Sequence, residues 1–461
     1  MTKLFASTFF LAVLLPAADP ADWIVTAKWV VTMDAQHRVI EDGAVAVVGS
    51  NITAVGPRAE IEARYTARRR LDRPNAALIP GLVNTHTHAA MSLFRGVADD
   101  LTLQDWLENF IFPAEARNTD AEFVRWGTRL AAVEMLLSGT TTFCDMYYFE
   151  EVVAEVAKQA GMRGVLGQTI IGFPAPDAKT PEEALKRTEA FLKQYAADPL
   201  ITPAVAPHAI YTNSDATLKA TRALANQYAK PLVIHLSETK RENVDTLAKR
   251  RLSPTRALDA LGLFTGGLTV AAHGVWLDDR DIAILKQRGA GVAHCPSSNM
   301  KLASGVAPVV KLLAAGVPVG LGTDGPAGSN NDLNLLEELD LAGKLAKVTL
   351  NDPRALPAQT LLEMATIGGA RVLGLNKRIG SIETGKAADL VQVALNTPHT
   401  TPVYNIYSTL VYAAKGDDVQ DVMIEGKIIV RGRNVLTLER DAILAKAAEY
   451  RAKIQGSLSR Q

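Results

Sequence analysis

The sequence predicts an α/β protein: a (β/α)8 barrel of the TIM type with a small β-sandwich domain built from both chain ends. Three observations support this prediction. Strand-like and helix-like stretches alternate through the middle of the chain, short strands with tight turns occur near both ends, and polar residues follow most of the central strands. In barrels of this kind, the side chains that carry out chemistry lie at the carboxyl ends of the strands.

The barrel prediction comes from eight strand-like runs that are separated by helical stretches. The strand candidates are short and apolar, and they are Ala77–His88, Thr140–Met146, Arg163–Ile170, Ile201–Ala209, Pro231–Glu238, Leu268–Val275, Gly289–Cys295 and Pro318–Asp324. The helical stretches show apolar residues at helical spacing, and they include Ala121–Leu137, Val152–Gln159, Pro181–Tyr195, Ala216–Ala229, Pro254–Leu261, Asp279–Lys286 and Val306–Ala315. Eight such units predict a closed parallel barrel.

The two chain ends resemble each other in pattern. Short strands are predicted at Trp23–Thr32, Ala44–Val48, Ile52–Val55, Ala388–Val393, Val419–Ile424 and Ile428–Arg431, and an amphipathic helix at Glu439–Ile454. We therefore divide the chain into a secretory signal peptide at 1–18, the first part of the β-sandwich at 19–78, the barrel at 79–377, and the second part with the terminal helix at 378–461.

Composition excludes several classes of partner. The chain has 461 residues, of which 48% are hydrophobic, and its 49 Lys and Arg residues balance 49 Asp and Glu residues. Without a basic excess we expect neither nucleic-acid binding nor attachment to an anionic membrane, and no segment is long enough to span a bilayer comfortably. Cys144 and Cys295 lie in distant strand-like runs, so we expect two free, buried thiols.

The first residues have the pattern of a secretory signal. Lys3 precedes the apolar run Leu4–Leu15, and the small residues of Pro16–Ala18 follow it. If this signal is genuine, the protein is exported to the periplasm or outside the cell. If the segment is instead a partly buried N-terminus, the protein is cytoplasmic.

Histidines and acids concentrate at the predicted strand ends. His86 and His88 end the first strand, alternate residues of a strand point to one side, and two imidazoles there form half of a metal site. Six of the eight histidines lie at or near strand ends, and these are His86, His88, His208, His235, His273 and His294. Their convergence at one mouth predicts a metal-dependent active site.

These strand ends carry motifs that resemble the amidohydrolase superfamily. The motifs are Pro80–His88, Met91–Gly96, Gly139–Thr142, His235–Glu238, His294–Leu302, Thr323–Gly325 and Ser329–Asp332. More narrowly, the chain resembles the 5′-methylthioadenosine/S-adenosylhomocysteine deaminase group and its relatives, the triazine hydrolases and guanine deaminase. The resemblance extends from about residue 22 to the end of the chain.

The residue types suit one divalent metal ion. His86, His88 and His235 offer imidazoles and Asp324 offers a carboxylate, a donor set that favours Zn²⁺, with Fe²⁺ as the alternative. The two-metal members of the superfamily use a carboxylated lysine at the end of strand four. The corresponding run Ile201–Ala209 has no lysine, which favours a single metal.

Three residues are the candidates for catalysis. We expect Asp324 to take a proton from the attacking water, His273 to orient the attack, and Glu238 to act as the general acid and base on the substrate. His273 as a core histidine and Glu238 as a partner in an ion pair at the barrel rim are the structural alternatives, and a role for His294 stays open.

The resemblance also implies substrate contacts. Glu115 matches a carboxylate that binds ribose hydroxyls, His208 matches a substrate-contacting histidine, and Ser329 and Glu238 complete the predicted set, while Met91, Phe94 and Trp106 are candidates for the apolar pocket wall. Glu115 as a helix-terminal acid is the structural alternative. Two departures stand out: no arginine is found at Asp198–Ile201, where one would hold an amino-acid carboxylate, and the turn Pro326–Gly328 is one residue longer than expected.

The motifs predict a hydrolytic deaminase acting on an exocyclic amine of a purine nucleoside, purine base, pterin or related N-heterocycle. The alternative on the same barrel is another C–N hydrolase, for amides or dipeptides, or a triazine-type hydrolase. A binding protein that has lost catalysis is a third reading, which the complete set of candidate ligands disfavours. The resemblance implies a homo-oligomer, either a dimer or a tetramer.

Overall fold

The computed structural model describes residues 18–458, so the predicted signal peptide lies outside the described residues except for its last position. Within this range, no helix combines the length and apolar character that a membrane crossing requires. The barrel and the additional β domain predicted from the sequence are both present.

Eight parallel strands form the barrel, in the same order as in the chain. They are β5 (Leu82–Thr87), β6 (Thr140–Tyr147), β7 (Arg163–Ile170), β8 (Ile201–Pro207), β9 (Leu232–Leu236), β10 (Thr269–His273), β11 (Gly291–His294) and β12 (Val319–Leu321). The seam between the last and first strands is closed by a parallel bridge between Thr87 and Asp324 and by the hydroxyl of Thr85, which donates to the carbonyl of Leu321 at 2.8 Å.

The two chain ends form a second, mixed sheet of eight strands in the order β16-β15-β14-β13-β4-β1-β2-β3. Its strands are β1 (Asp19–Val31), β2 (Val39–Val48), β3 (Asn51–Pro57), β4 (Tyr65–Pro80), β13 (Leu390–Ala394), β14 (Val419–Ile424), β15 (Lys427–Arg431) and β16 (Asn434–Val435). Trp23 and Leu71 from the first end share a buried cluster with Leu390 and Met423 from the second. Apolar packing between distant parts of the chain therefore holds this domain together.

The helices are α1 (Arg58–Arg64), α2 (Leu103–Asp105), α3 (Phe112–Asn118), α4 (Ala121–Leu137), α5 (Glu150–Ala160), α6 (Pro181–Gln194), α7 (Asp215–Gln227), α8 (Lys240–Arg250), α9 (Pro254–Ala260), α10 (Asp279–Arg288), α11 (Pro296–Lys301), α12 (Val309–Ala315), α13 (Leu335–Leu350), α14 (Ala358–Glu363), α15 (Gly369–Val372), α16 (Ile406–Ser408) and α17 (Arg440–Leu458). Turns of 3₁₀-helix occur at Ala89–Phe94 and Gly416–Asp418, and π-helical turns at Trp106–Ile111, Met364–Gly368 and Thr409–Ala413.

One predicted strand is divided in the structure. The run Ala77–His88 belongs to two strands, β4 of the mixed sheet and β5 of the barrel, and the chain passes from one to the other at Gly81. The amide of Gly81 donates to the carbonyl of Asp389 at 2.9 Å, and a Cβ at Gly81 would lie 2.1 Å from Oγ1 of Thr141. The close approach of Thr141 explains why glycine stands at this junction.

A buried arginine joins the barrel to the mixed sheet. Arg163, at the start of β7, is 2% exposed and pairs with Asp389 at 3.1 Å and with Glu425. A buried charge is tolerated only when it is paired. These ion pairs therefore fix the position of the barrel strand β7 against the mixed sheet. The two cysteines are free and buried, as predicted.

Candidate active site

The closing seam of the barrel assembles the site. The amide of Asp324, just beyond β12, donates to the carbonyl of His86 on β5 at 3.0 Å, so these two side chains become neighbours. Ser237, His273 and Asp324 have φ values of 48°, 71° and 62°, in the left-handed region that non-glycine residues rarely adopt. Such strained backbone at several strand ends is typical of functional sites.

The four predicted metal ligands converge. Oδ1 of Asp324 lies 3.2 Å from Nε2 of His88 and 3.4 Å from Nε2 of His86, and Nε2 of His235 lies 3.3 Å from Nε2 of His88. Two overlapping groups of potential ligand atoms, each within 4.8 Å, consist of His86, His88 and His235, and of His86, His273 and Asp324. The structure thus brings together donors from the ends of the first, fifth and eighth strands of the barrel, which are β5, β9 and β12.

The surrounding hydrogen bonds orient two of these imidazoles. Nδ1 of His88 lies 2.7 Å from the carbonyl of Met146, and Nδ1 of His235 lies 2.8 Å from the carbonyl of His208. Because a carbonyl only accepts, each Nδ1 donates a proton to it, and this contact turns each Nε2 towards the centre of the cluster. This arrangement is the one that metal-ligating histidines commonly show.

The remaining two donors also fit a cation. Both ring nitrogens of His86 are buried without a hydrogen-bond partner, and Oδ2 of Asp324 accepts a hydrogen bond from Ser298 at 2.7 Å, which leaves Oδ1 directed at the imidazoles. A buried polar atom without a partner is costly, and a divalent ion among these atoms would satisfy it. The donor set of three nitrogens and one carboxylate oxygen suits Zn²⁺.

Burial and the Asp324 carboxylate govern protonation of the cluster. Burial lowers the pKa of His86 to about 4 and lowers that of His235 well below its usual value, so both imidazoles are neutral. Burial also disfavours the charged form of His88, but the hydrogen bond and charge of Asp324 outweigh it and raise that pKa to about 9. A metal ion would have to displace the His88 proton, which makes metal binding pH-dependent.

Two further polar groups face the ligand cluster. Oε2 of Glu238, which follows β9, lies 3.8 Å from Nε2 of His273, and Nδ1 of His273 lies 3.0 Å from Oδ1 of Asn299. Burial raises the pKa of Glu238, which makes a proton on this carboxyl group available nearer neutral pH. A carboxyl group and an oriented imidazole beside a metal-ligand set can serve acid–base chemistry.

The turn that carries Glu238 is fixed by a second buried acid. The amides of Ser237 and Glu238 donate to the carboxylate of Glu242 at 3.0 and 2.8 Å, and burial raises the pKa of Glu242 to about 8. The sequence analysis missed Glu242, although an acid four residues after a candidate catalytic acid was a usable signal.

The ligand cluster opens into a pocket that is partly open to solvent. The lining residues outside the cluster are mostly apolar or aromatic, and they include Met91, Leu103, Trp106, Leu107, Ile111, Phe112, Tyr147, Tyr148 and Tyr211. Met91 and Trp106 were expected here, whereas Phe94 packs in the core with its ring centroid 4.6 Å from that of Phe123. A pocket with polar groups at one end and a mostly apolar and aromatic wall suits a small heterocyclic ligand.

Each predicted substrate-contact residue lines this pocket. Glu115 accepts hydrogen bonds from the hydroxyls of Tyr147 at 2.7 Å and Tyr148 at 3.4 Å, and its burial raises its pKa to about 7. His208 and Ser329 also lie in the wall, with Nδ1 of His208 3.1 Å from Oγ1 of Thr212. The two tyrosines were not predicted, because nothing in their local sequence separates them from core aromatics.

The turn at Pro326–Gly328 lies directly behind two residues of this wall, Trp106 and Ser329. Nε1 of Trp106 donates to the carbonyl of Ala327 at 2.8 Å, and the hydroxyl of Ser329 donates to the carbonyl of Gly325 at 2.6 Å. Gly328 has a φ of 115°, and a Cβ there would lie 1.9 Å from the carbonyl oxygen of Ala98. The turn thus requires glycine at position 328 and is anchored by Trp106.

His294 does not join the site. It ends β11 but lines a separate cavity of about 210 Å³ between α12 and α13. Since alternate residues of a strand face opposite sides, its side chain points from the barrel towards the helices. Ser298 and Asn299, on the helix α11 that follows β11, contact the site instead, through Asp324 and His273.

Known proteins similar to this chain share this architecture. The model of the amidohydrolase family matches residues 77–429. The 5-methylthioadenosine/S-adenosylhomocysteine deaminase 1 of Syntrophus aciditrophicus (strain SB) is 46% identical over 440 residues, covering 95% of this chain and 99% of that protein. The deaminase of the same name from Syntrophobacter fumaroxidans is 48% identical over 426 residues, covering 92% and 97%. The solved structure of an adenosine deaminase from Xanthomonas campestris with bound Zn is 44% identical and superposes with a TM-score of 0.93. The match covers 95% of this chain and 100% of that chain. The chain belongs to the amidohydrolase family.

Proposed function

We propose that this protein is a metal-dependent hydrolytic deaminase that acts on the exocyclic amine of a purine nucleoside, purine base, pterin or related N-heterocycle. The observation that carries the proposal is the position of Glu238 beside His273, 3.8 Å apart, where the metal-ligand cluster meets the pocket. The similar proteins named as methylthioadenosine, S-adenosylhomocysteine and adenosine deaminases support the same reaction class.

His86, His88, His235 and Asp324 would hold one divalent ion. Zn²⁺ is the first candidate, since the similar Xanthomonas structure contains Zn and three nitrogens with one oxygen suit it, and Fe²⁺ is the alternative. Such an ion, when bound, supplies Lewis acidity that makes water a nucleophile near neutral pH.

The chain's own groups divide the proton transfers. Asp324 accepts the proton of the attacking water, and Nε2 of His273 accepts a hydrogen bond that aligns this water with the amine-bearing carbon, while Asn299 keeps the Nδ1 proton in place. Glu238 donates a proton to the adjacent ring nitrogen, then takes up the proton of the newly added hydroxyl as the carbonyl forms and delivers it to the departing amine. The proton held by Asp324 finally returns to Glu238. The sum is one water consumed, one exocyclic amine released as ammonia, and one carbonyl formed.

The pocket wall would bind the rest of the substrate. Glu115 accepts hydrogen bonds from sugar hydroxyls, held in place by Tyr147 and Tyr148. His208 and Ser329 approach the substrate from other sides of the wall, and Glu238 contacts the ring. This assignment covers all four predicted substrate contacts.

Three wider expectations stay predictions. The division into residues 19–78, 79–377 and 378–461 can be checked by limited proteolysis, and export directed by residues 1–18 by N-terminal sequencing of protein from the extracytoplasmic fraction. A dimer or tetramer is checked by light scattering.

The proposed function is tested by measuring ammonia release from the Zn-loaded full-length protein. Adenosine, 5′-methylthioadenosine, guanine, a pterin, cytosine and an aminotriazine form the deaminase panel, and N-acyl amino acids, dipeptides and a chlorotriazine represent the alternative hydrolases. We expect ammonia in equal amount to substrate consumed for at least one purine. Turnover confined to the second group would overturn the proposal.

A further inference from the structure

We propose that the cavity between α12 and α13 is a second ligand-binding site, which takes a small uncharged molecule of the phenol type, with one apolar ring and one hydroxyl group. The cavity has a volume of about 210 Å³, and His294 lies in its wall. None of the described residues that line it also lines the active-site pocket. A ligand in this cavity would therefore leave the active-site pocket open to substrate.

Two helices supply the apolar walls of the cavity. Ala342, Leu345 and Ala346 recur at helical spacing and so lie on one face of α13. Val309 and Val310 line the cavity from the start of α12. Because these side chains are aliphatic, an apolar ring that entered the cavity would bury its surface favourably against them.

The size of the cavity limits the ligand to about one substituted ring. A dry apolar cavity of about 150 Å³ holds a molecule of benzene. The 210 Å³ found here leave room for the ring and for a small substituent. Val306 and Leu350 line the same cavity and are 40% and 53% exposed, so the cavity reaches the protein surface at these residues and a ligand can enter.

His294 is the polar group that selects the ligand. It is 2% exposed, and its Nδ1 is buried with no hydrogen-bond partner among the described residues. Burial lowers the pKa of His294 to about 3, so near neutral pH the ring is uncharged and has one donating and one accepting nitrogen. A hydroxyl group both donates and accepts, so it suits either nitrogen and would satisfy a buried atom that is costly to leave unpaired.

The cavity offers a charged ligand no buried counter-charge within the described part of the chain. Besides His294, the polar side chains of its wall are those of Lys311 and Thr349, and both residues are exposed. Lys311 already pairs with Asp279 at 2.8 Å. A carboxylate or ammonium group would lose its hydration against aliphatic side chains, which favours an uncharged ligand.

The location of the site is tested by titrating the full-length protein with p-cresol, observed by ligand NMR. We expect a Kd of about 1 mM or lower for the wild type. Ala346→Phe places a ring in the cavity and should weaken binding at least about tenfold. The matched control is Val348→Phe, which adds the same ring to α13 at a position that is 75% exposed and outside the cavity wall, and it should leave the Kd within about twofold.

The role of His294 is tested by comparing p-cresol with toluene, which has the same ring and methyl group but no hydroxyl. His294→Phe keeps an aromatic ring in the wall and removes both ring nitrogens. We expect the ratio of p-cresol affinity to toluene affinity to fall at least about threefold in this variant. Circular dichroism verifies that each variant is folded.

The outcomes bear on this site independently of the proposed function, because binding is measured without turnover. Absence of p-cresol binding at about 5 mM, or an equal Kd in wild type and Ala346→Phe, would overturn the cavity as a ligand site. An unchanged ratio of the two affinities in His294→Phe would overturn the selection of a hydroxyl group. A protein that binds p-cresol as expected but releases no ammonia from any amine would overturn the deaminase function alone.

Discussion

Replacing Glu238 by glutamine isolates the proposed proton carrier from the metal site. The substitution keeps the size and polarity of the side chain but removes the ability to donate and recover a proton. Glu238 is 3% exposed and is held through its backbone amide by Glu242 at 2.8 Å, so we expect the turn and the fold to persist. Since Glu238 is outside the proposed ligand set, the metal should also be retained.

We expect a large decrease in kcat because neither of the other carboxyl groups in the pocket wall is free to replace Glu238 as the proton donor. Of the other two carboxyl groups in the pocket wall, Asp324 accepts a hydrogen bond from Ser298 and faces the imidazoles, and Glu115 is bound to two tyrosine hydroxyls. General acid–base catalysis contributes about 10²- to 10⁴-fold, so kcat for adenosine should fall by this factor. At about 1.36 kcal/mol per tenfold, the transition state loses roughly 2.7–5.4 kcal/mol.

The assay is ammonia release at saturating substrate, with the metal content of the same sample measured by atomic emission. Glu115→Gln is the matched control, because it makes the same chemical change in the same pocket but should act mainly on KM. A Glu238→Gln variant with one metal per chain and kcat within tenfold of wild type would refute the assignment of Glu238. Loss of the metal in this variant would refute the proposed ligand set.

Three further expectations concern groups around the site. Tyr147→Phe removes the 2.7 Å hydrogen bond to Glu115 and should raise KM about 3- to 10-fold at nearly constant kcat, and a fall confined to kcat would contradict this role. The pKa of Glu115 is raised to about 7 by burial, so its accepting carboxylate form is depleted below that pH, and KM should rise as pH falls through 7 in the wild type but not in Glu115→Gln. Asn299→Ala leaves His273 without its partner at 3.0 Å and should lower kcat/KM about 10- to 100-fold with unchanged metal content, whereas full activity would show that His273 needs no orientation.

The barrel and the ligand set could be predicted because each leaves a local pattern. A buried parallel strand is a short apolar run, and the helix Ala121–Leu137 was predicted with the bounds found in the structure. The spacing of His86 and His88 puts both side chains on one side of a strand end, and the polar residues at the other strand ends completed the prediction. The strand prediction was wrong where two strands meet without a turn, since Gly81 interrupts neither the apolar pattern nor the extended backbone. The part of β4 before Ala77 and the short strand β16 were not predicted.

The remaining parts of the site depend on contacts between distant segments. Tyr147 and Glu115 meet across 32 positions, and Asn299 reaches His273 across 26. His294 shows that a position at a strand end does not by itself place a histidine in the active site. It ends a strand as the active-site histidines do, but it lines a cavity among the helices. One residue of register decides which side of a strand a side chain faces, and sequence spacing does not fix the end of a strand that closely.

Titration of the metal-free protein with Zn²⁺ tests the central claim most directly. After removal of metal by a chelator at low pH and return to neutral pH, ammonia release from adenosine is followed as Zn²⁺ is added. His86, His88, His235 and Asp324 form one site, so activity should rise linearly and stop at one equivalent per chain. Activity that persists without metal, or that rises to a plateau only at two equivalents, would contradict a single catalytic ion held by these four side chains.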